Sequence, residues 1–379
     1  MKICDIVINS VWFDPRVRKQ ISEYMNCGEE VTVIGVKCVR YDEDKIASMP
    51  CKTIIAKINE KFECKQSNLF RKIIRICLNT LSIKNTIINE KPDVIHANDL
   101  AALLPAYIAK RKLNCVLIYD SHEINTENYT TDRIPLMVAV MRFLEKRMLK
   151  KVNRMVCVSN AAADYFVNEY HIEKPMVVTN CSLKSEQCTA GEKNFGFEVL
   201  NHGQFYDGRG YDIMVESIPL LKDYPEIKLA VRGFGRLEDS LRARAAELGG
   251  ENFVFYPKVL VQELIPYASK SMVGVAVTEA ICLNFKLSVS NKLFEYASAG
   301  LPVIMSDIPE HRYLNDKYNF GIVISENTPK AFADAVIKLY TDKAFYEQCA
   351  KNAKKLSDEI NWENEFGKLI EFERRALQG

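Results

Sequence analysis

The sequence predicts two α/β domains, each built on a parallel sheet. Three observations lead there. Short runs rich in Val and Ile alternate along the chain with longer stretches of helical periodicity. Near-continuous β-branched runs separated by helices are the pattern of parallel strands buried on both faces. The length, 379 residues, suits two domains of about 100–200 residues each. The polar stretch "KSEQCTAGEKNFG", residues 184–196, reads as a linker between a domain over 1–183 and another over 197–358.

In chain order, strands are expected in "KICDIVINS", "EEVTVIGVK", "PDVIHAN", "CVLIYDSH", "RMVCVSN" and "PMVVTNC". Between them, Arg16–Cys27 and Arg133–Val152 show helical spacing, and Asp14-Pro15 marks a turn or helix start. The second half repeats the style in "FEVLNHGQF", "IKLAVRGFG", "NFVFYPKV", "VGVAVTEA", "LPVIMSD" and "FGIVIS". Gly300-Leu301-Pro302 should stop a helix, since Gly caps helices and Pro cannot continue them. Residues 359–379 form a last helix striped by Trp362, Phe366, Leu369 and Ile370. Ligands of open α/β sheets bind beyond the carboxyl ends of the strands. Two such domains would put a small-molecule site in a cleft between them.

Composition narrows the class. Hydrophobic residues at 48% and charged residues at 26% are ordinary for a globular protein. No apolar run approaches the ~20 residues that span a bilayer. The start, Met1-Lys2-Ile3-Cys4-Asp5, enters a strand directly without the pattern of a secretory signal. The 12 cysteines include no C-x-x-C pair, so a reduced, cytoplasmic protein is expected, without zinc or a disulfide framework. Residues 1–182 carry 27 Lys/Arg against 21 Asp/Glu, the remainder 24 against 28. The basic half suits a negative surface. "NSVWFDP" after the first strand lacks the glycine fingerprint of NAD enzymes, and no G-x-S-x-G elbow exists.

Six segments in register carry a resemblance. They are "DPRVRKQISEYMNCGEEVTVIG", "DVIHANDLAALLPAYIAKR", "YDSHEI", "HGQFYDGRGYDIMVESIPLL", "VRGFG" and "SNKLFEYASAGLPVIMSDIPE". Together they resemble glycosyltransferase family 4, over nearly the whole chain. The resemblance implies the GT-B architecture, two Rossmann-like domains facing across a cleft. The second would hold a nucleotide-sugar donor, and the last helix would cross back to the first. It implies sugar transfer with retention, no cofactor beyond the donor substrate and no metal. A uridine diphosphate sugar is expected first, with a glycan or lipid-linked acceptor in surface polysaccharide or glycolipid assembly.

The residues give that expectation its chemistry. In "GQFYDGRGYD", Gly203 ends a strand and Arg209-Gly210 opens a helix, whose free N–H groups and dipole favour phosphate. Arg209 adds a fork of charged donors. Family members carry Arg where this chain has Gln204, so Arg209 should carry more of the leaving-group charge, helped by Lys292 or Arg16. By resemblance, Glu295 accepts hydrogen bonds from the donor ribose, which are strong because they are charge-assisted. The family's other glutamate, eight positions earlier, is Leu287 here, which leaves Asn291, Lys292 and Leu293 in a variant of the motif. The alternative for Glu295 is an intrahelical pair with Lys292. Gly233 and Val259 would flank the nucleobase. His122 would meet the sugar at the reacting centre, so His122, Arg209 and Glu295 form the expected catalytic set. Arg16, His96, Asp99 and Glu123 lie at strand ends and turns on the acceptor side. Gln204 and Leu287 also fit a second reading, a catalytically silent GT-B subunit. "DED" at Asp42–Asp44 matches a metal-nucleotide pattern of another fold but reads as a solvated charge run.

Two basic amphipathic stretches, Phe70–Asn85 and Met141–Arg154, suit the anionic inner face of a cell membrane. In the second, the stripe is Met141, Leu144, Met148 and Leu149. Packing on the domain's own sheet is the alternative.

Overall fold

A computed structural model describes residues 1–37, 42–56, 69–128, 135–188, 192–194 and 196–378. The chain divides into two compact units. One comprises Met1–Val178 with Glu365–Gly379, the other Thr179–Asn364.

The first unit holds seven strands: β1 (Lys2–Val7), β2 (Glu30–Val36), β3 (Lys52–Ala56), β4 (Val94–Asn98), β5 (Val116–Ser121), β6 (Arg154–Cys157) and β7 (Met176–Val177). They are all parallel, in the order β3-β2-β1-β4-β5-β6-β7. Every residue of β4 and β5 is buried, as a sheet covered on both faces requires. The strand absent from the sequence-based expectation is β3, carried by the β-branched run Thr53-Ile54-Ile55. From β1 the chain adds β2 and β3 on one side and then crosses to β4 on the other, so this sheet has its switch point between β1 and β4. The helix Pro15–Asn26 follows β1; Asp14 caps it by accepting from the N–H groups of Arg16 and Val17, both at 3.1 Å. Asp42 caps the short helix Glu43–Ala47, so the acidic run there serves a helix start.

The second unit holds β8 (Phe197–Gln204), β9 (Ile227–Phe234), β10 (Phe253–Tyr256), β11 (Val273–Ala276), β12 (Val303–Ser306) and β13 (Gly321–Ile324). Their order is β10-β9-β8-β11-β12-β13, again all parallel. This is the order of the first six strands of the other unit, with the switch point between β8 and β11. Its core joins β8, β9 and β11 to Phe332, Val336 and Leu339 of the helix Pro329–Thr341.

The helix Asn291–Ser298 packs on β11. Gly274 makes that approach possible, because a Cβ there would come within 2.2 Å of the Tyr296 ring. The helix ends in a left-handed cap. Gly300 has φ +71, its N–H reaches Ala297 at 2.9 Å, and Leu301 N–H reaches Tyr296 at 2.9 Å. Pro302 follows and β12 begins at Val303.

The final helix, Trp362–Gln378, contributes Glu365 onward to the first unit. Its Phe366 ring meets Tyr24 edge-on at 4.9 Å. The described cysteines are all free; Cys38 and Cys64 lie outside the described residues.

Candidate functional site

In the second unit, the polar side chains gather at the carboxyl end of β8, beside the switch point. Two of them, Asn201 and His202, are buried side by side near the end of that strand. A buried polar group needs a partner, and both find one on the helix Asn291–Ser298. His202 Nε2 donates to Glu295 Oε2 at 2.6 Å, and Lys292 Nζ donates to Asn201 Oδ1 at 2.7 Å. His202 is clamped further: its N–H donates to the Tyr296 hydroxyl at 2.9 Å and its ring stacks on Tyr296 at 4.5 Å. So Glu295 and Lys292 do not pair with each other. Each is fixed to the strand instead, and the Glu295 side chain keeps a quarter of its surface (25%) open.

Glycine brings the backbone close here. Gly203 has φ +128, and a Cβ on it would stand 3.4 Å from both Lys292 Cε and the Tyr211 hydroxyl. Gly233, its register partner on β9, has φ +149, and a Cβ there would reach within 1.8 Å of the Gly203 carbonyl. A side chain at Gly233 would push the strand ends apart, while at Gly203 the left-handed φ is what excludes one. The loop after β8 passes through Gly208 and Gly210, both left-handed, into the helix Tyr211–Glu216. Arg209 stands there partly exposed, its guanidinium 5.1 Å from the Phe285 ring centroid.

The electrostatics are those of an anion site. Burial holds the Lys292 amine down to about 7, with the nearby Arg209 charge pushing the same way and Glu295 opposing. Lys292 also lies over the Tyr211 ring at 5.1 Å. The Tyr211 hydroxyl and His202 Nδ1 are buried with no hydrogen-bond partner among the described residues, so two polar groups at this strand end remain to be satisfied.

The other expected donor-side residues separate into two groups. Asn291 and Gln204 are exposed, and Val259 is half-buried in the loop after β10. Leu293 is fully buried, so its side chain is core and only its backbone is available; the i, i+3 spacing from Ser290 turns it inward.

In the first unit the expected acceptor-side residues lie near the carboxyl ends of β4 and β5, but two of the four, Arg16 and His96, face inward. Arg16 is 2% exposed. Its Nη2 donates to both Asp120 oxygens, at 2.8 and 3.0 Å, and its Nη1 to the Val178 carbonyl at 3.0 Å. It is therefore no free phosphate contact: Arg16, Gln20 and Tyr24 form the i, i+4, i+8 face that the helix turns onto the sheet. Burial would raise the Asp120 carboxyl, but Arg16 and His122 hold it well below its ordinary range. His96 is fully buried too. Its Nδ1 donates to Glu373 of the final helix at 2.8 Å, and the Tyr24 hydroxyl donates to the same oxygen at 2.6 Å. Burial works against the charged imidazole, yet Asp120 and Glu373 raise it to about 10. His96 thus serves as a structural link and not as a group facing substrate.

His122 is the more accessible imidazole, 15% exposed on its side chain. Its Nε2 donates to Asn98 Oδ1 at 3.0 Å, with Asp120 at 3.5 Å and Asp99 3.7 Å from Nδ1. Burial opposes its charge, but Asp99 and Asp120 raise it above the ordinary imidazole value. Asp99 takes φ +64 and accepts from the His122 N–H at 2.9 Å. Glu123 is exposed and accepts from Asn128 at 2.6 Å.

Sequence reasoning missed Asn201, His202, Tyr211 and Tyr296. The first two had a readable signal, adjacent polar residues within a buried strand; the tyrosines had none.

Two family models match the chain. One, described as Glycosyl transferases group 1, matches residues 196–342; the other, Glycosyltransferase Family 4, matches residues 19–182. A glycosyltransferase of Methanocaldococcus jannaschii, uncharacterized, is 22% identical over 242 residues, 60% of each chain. A probable sucrose-phosphate synthase of Oryza sativa is 28% identical over 112 residues, 29% of this chain and 10% of that one. The match thus spans 60% of the first of these relatives and 10% of the second. Among solved structures, the Anabaena protein HepE in complex with UDP and glucose superposes with a TM-score of 0.74 at 14% identity, over 98% of this chain and 99% of that one.

Proposed function

The chain is a family 4 glycosyltransferase of the group 1, GT-B type, and from that premise we propose that it transfers a sugar, with retention, from a uridine diphosphate donor. The observation that carries the reading is the end of β8. A carboxylate, Glu295, is fixed by a buried imidazole beside a buried amine and an arginine, over backbone kept bare by Gly203 and Gly233. A carboxylate with open surface suits the two adjacent ribose hydroxyls. Lys292 and Arg209 suit the diphosphate, Lys292 standing in for the cation that Gln204 does not supply. Val259 and Gly233 flank the base. That HepE was solved with UDP and glucose, and a pneumococcal O-GlcNAc transferase of the same fold with UDP and GlcNAc, supports uridine.

In this reading the chain provides charge stabilisation and position, not a nucleophile. Arg209 and Lys292 counter the negative charge that builds on the leaving diphosphate. The departing phosphate oxygen takes the acceptor proton. His122, whose charge burial opposes but Asp99 and Asp120 favour, suits sugar hydroxyls at the strand ends of the first unit, with Asp99 orienting it. Arg209, with Lys292 recharged by the bound diphosphate, supplies the positive charge that a metal would otherwise bring. The acceptor we propose is a glycan, carried on lipid, at the cytoplasmic face of a membrane.

The test is release of UDP from a panel of UDP-sugars. Glu295→Ala and Arg209→Ala should each lower turnover about 100-fold or more. Near-native turnover in both folded variants would remove this site. Gln204 and Leu287 favour one competing reading, a silent subunit. Donor binding without UDP release, whatever acceptor is offered, would establish it.

A further inference from the structure

The helix Pro135–Leu149 carries apolar residues on two opposite faces. The inward face is Val138, Met141, Arg142, Glu145, Met148 and Leu149, all buried or half-buried at helical spacing. Glu145 anchors it, accepting from the hydroxyls of Tyr119 at 2.7 Å and Tyr170 at 2.5 Å, while Arg142 pairs with Glu127. Met148 and Leu149, which the sequence left open between membrane contact and packing on the sheet, are core.

The outward face is different. Leu136, Met137, Val140, Phe143 and Leu144 are exposed by 75, 40, 49, 59 and 38%. Single exposed apolar residues are normal, but five on one helix face form a patch that needs an occupant. Along the C-terminal turn stand Lys146, Arg147, Lys150 and Lys151, all exposed. Among the described residues none of the four has an acidic partner; Arg147 lies over the Phe143 ring at 5.8 Å instead. The only acid in the helix, Glu145, points inward.

We propose that this face docks on an anionic bilayer, the apolar side chains entering the boundary between headgroups and acyl chains and the four cations meeting headgroup phosphates. Charge chooses this occupant. A second copy of the same face would bring four cations and no acid, so a two-fold contact has nothing to neutralise them. An anionic lipid surface supplies that neutralisation, and helices of this make-up lie in such interfaces. The proposal bears on the lipid-borne acceptor but rests on exposure and charge alone. Of the other basic stretch, Phe70–Asn85, Ile76, Leu78 and Leu81 are exposed on the helix Leu69–Glu90; the side chains of residues 70–73 and 75 lie outside the described residues.

Co-sedimentation of the full chain with vesicles of phosphatidylglycerol, and separately of phosphatidylcholine, tests it. We expect binding to phosphatidylglycerol, weakened at about 0.5 M salt as screening shortens. The triple variant Leu136→Ser, Val140→Ser, Phe143→Ser should bind at least tenfold less. Lys146→Glu with Lys150→Glu should abolish the preference for phosphatidylglycerol. Thermal unfolding should be unchanged in both, since every altered side chain is exposed. Native chain that pellets with neither lipid, or equally with both, overturns the proposal, as does a triple variant that binds like the native chain. So does a native dimer in sedimentation equilibrium that the triple variant breaks, which would give the face to a second copy. UDP release without vesicles, measured on the same samples, should be unchanged in both variants; a native chain that releases UDP but pellets with neither lipid would sink the docking face and leave the transferase reading standing.

Discussion

At the scale of single residues, the decisive contact is His202 to Glu295 at 2.6 Å. It aims a carboxylate that would otherwise sample several rotamers, so in the proposed donor site His202 acts through Glu295, as a positioning residue. Losing such a buried bond costs about 1–3 kcal/mol. We therefore expect His202→Phe to raise the donor KM by about 5- to 150-fold with a smaller effect on kcat, and His202→Gln to recover part of it. Unchanged donor KM in a folded His202→Phe chain would make the contact structural only. Lys292 has a signature of its own. Its amine is lowered to about 7 in the folded chain from 10.5, so between those values the unfolded chain binds more protons and stability rises with pH. Lys292→Met should stabilise most below about pH 7, and the gain should fade as pH rises toward the unfolded value. A stability difference independent of pH would show that the amine is not held down by burial. Glu295 was readable from the sequence because the motif around it is long. Its partner was not, since His202 lies 93 positions away in the chain. Arg16 misled for the same reason: the carboxylate that buries it is 104 positions distant, and a lone arginine at a helix start looks solvated.

At the scale of elements, the final helix is tied to the first unit by a polar chain through its Glu373. His96 and Tyr24 both donate to that carboxylate inside the core. His96 is raised to about 10 in the folded chain against 6.5 ordinarily. Its stabilising contribution is thus complete below the unfolded value and is lost as pH rises through the folded one. Removing one partner of a buried charged pair costs about 3–5 kcal/mol. Glu373→Gln should lower Tm strongly at about pH 6 and much less above about pH 10. Equal destabilisation at both ends would mean that the pair carries no charge. The periodicity of Trp362, Phe366, Leu369 and Ile370 made the helix itself legible; its unit was implied only by the family resemblance, because an apolar stripe fits either sheet. The helix Pro135–Leu149 shows the converse limit. Its pattern announced amphipathicity, yet with apolar residues on two sides the sequence could not say which side the sheet would take. Glu145 decides that, through two tyrosines in other elements. β3 escaped notice although Thr53-Ile54-Ile55 is strand-like, since its flanks are polar and lysine-bearing.

At the scale of the whole molecule, two units repeat one strand order, and in each the polar side chains collect at the carboxyl ends beside the switch point. That doubly wound pattern was the most legible feature, because strands buried on both faces leave long β-branched runs in the sequence. The two collections differ in character. In the first unit Arg16 with Asp120 and His96 with Glu373 close into ion pairs inside the core, while in the second Glu295 keeps a quarter of its side-chain surface (25%) open beside a buried amine. We therefore propose the end of β8 as the donor site. Calorimetric titration of UDP into the native chain, Arg209→Ala and Lys292→Met measures that assignment most directly. UDP should bind the native chain and take up a proton at about pH 8 as the diphosphate restores charge to Lys292. Each variant should bind at least tenfold more weakly, and Lys292→Met should lose the proton uptake. Equal UDP affinity in all three folded chains, with no proton linkage, would contradict it.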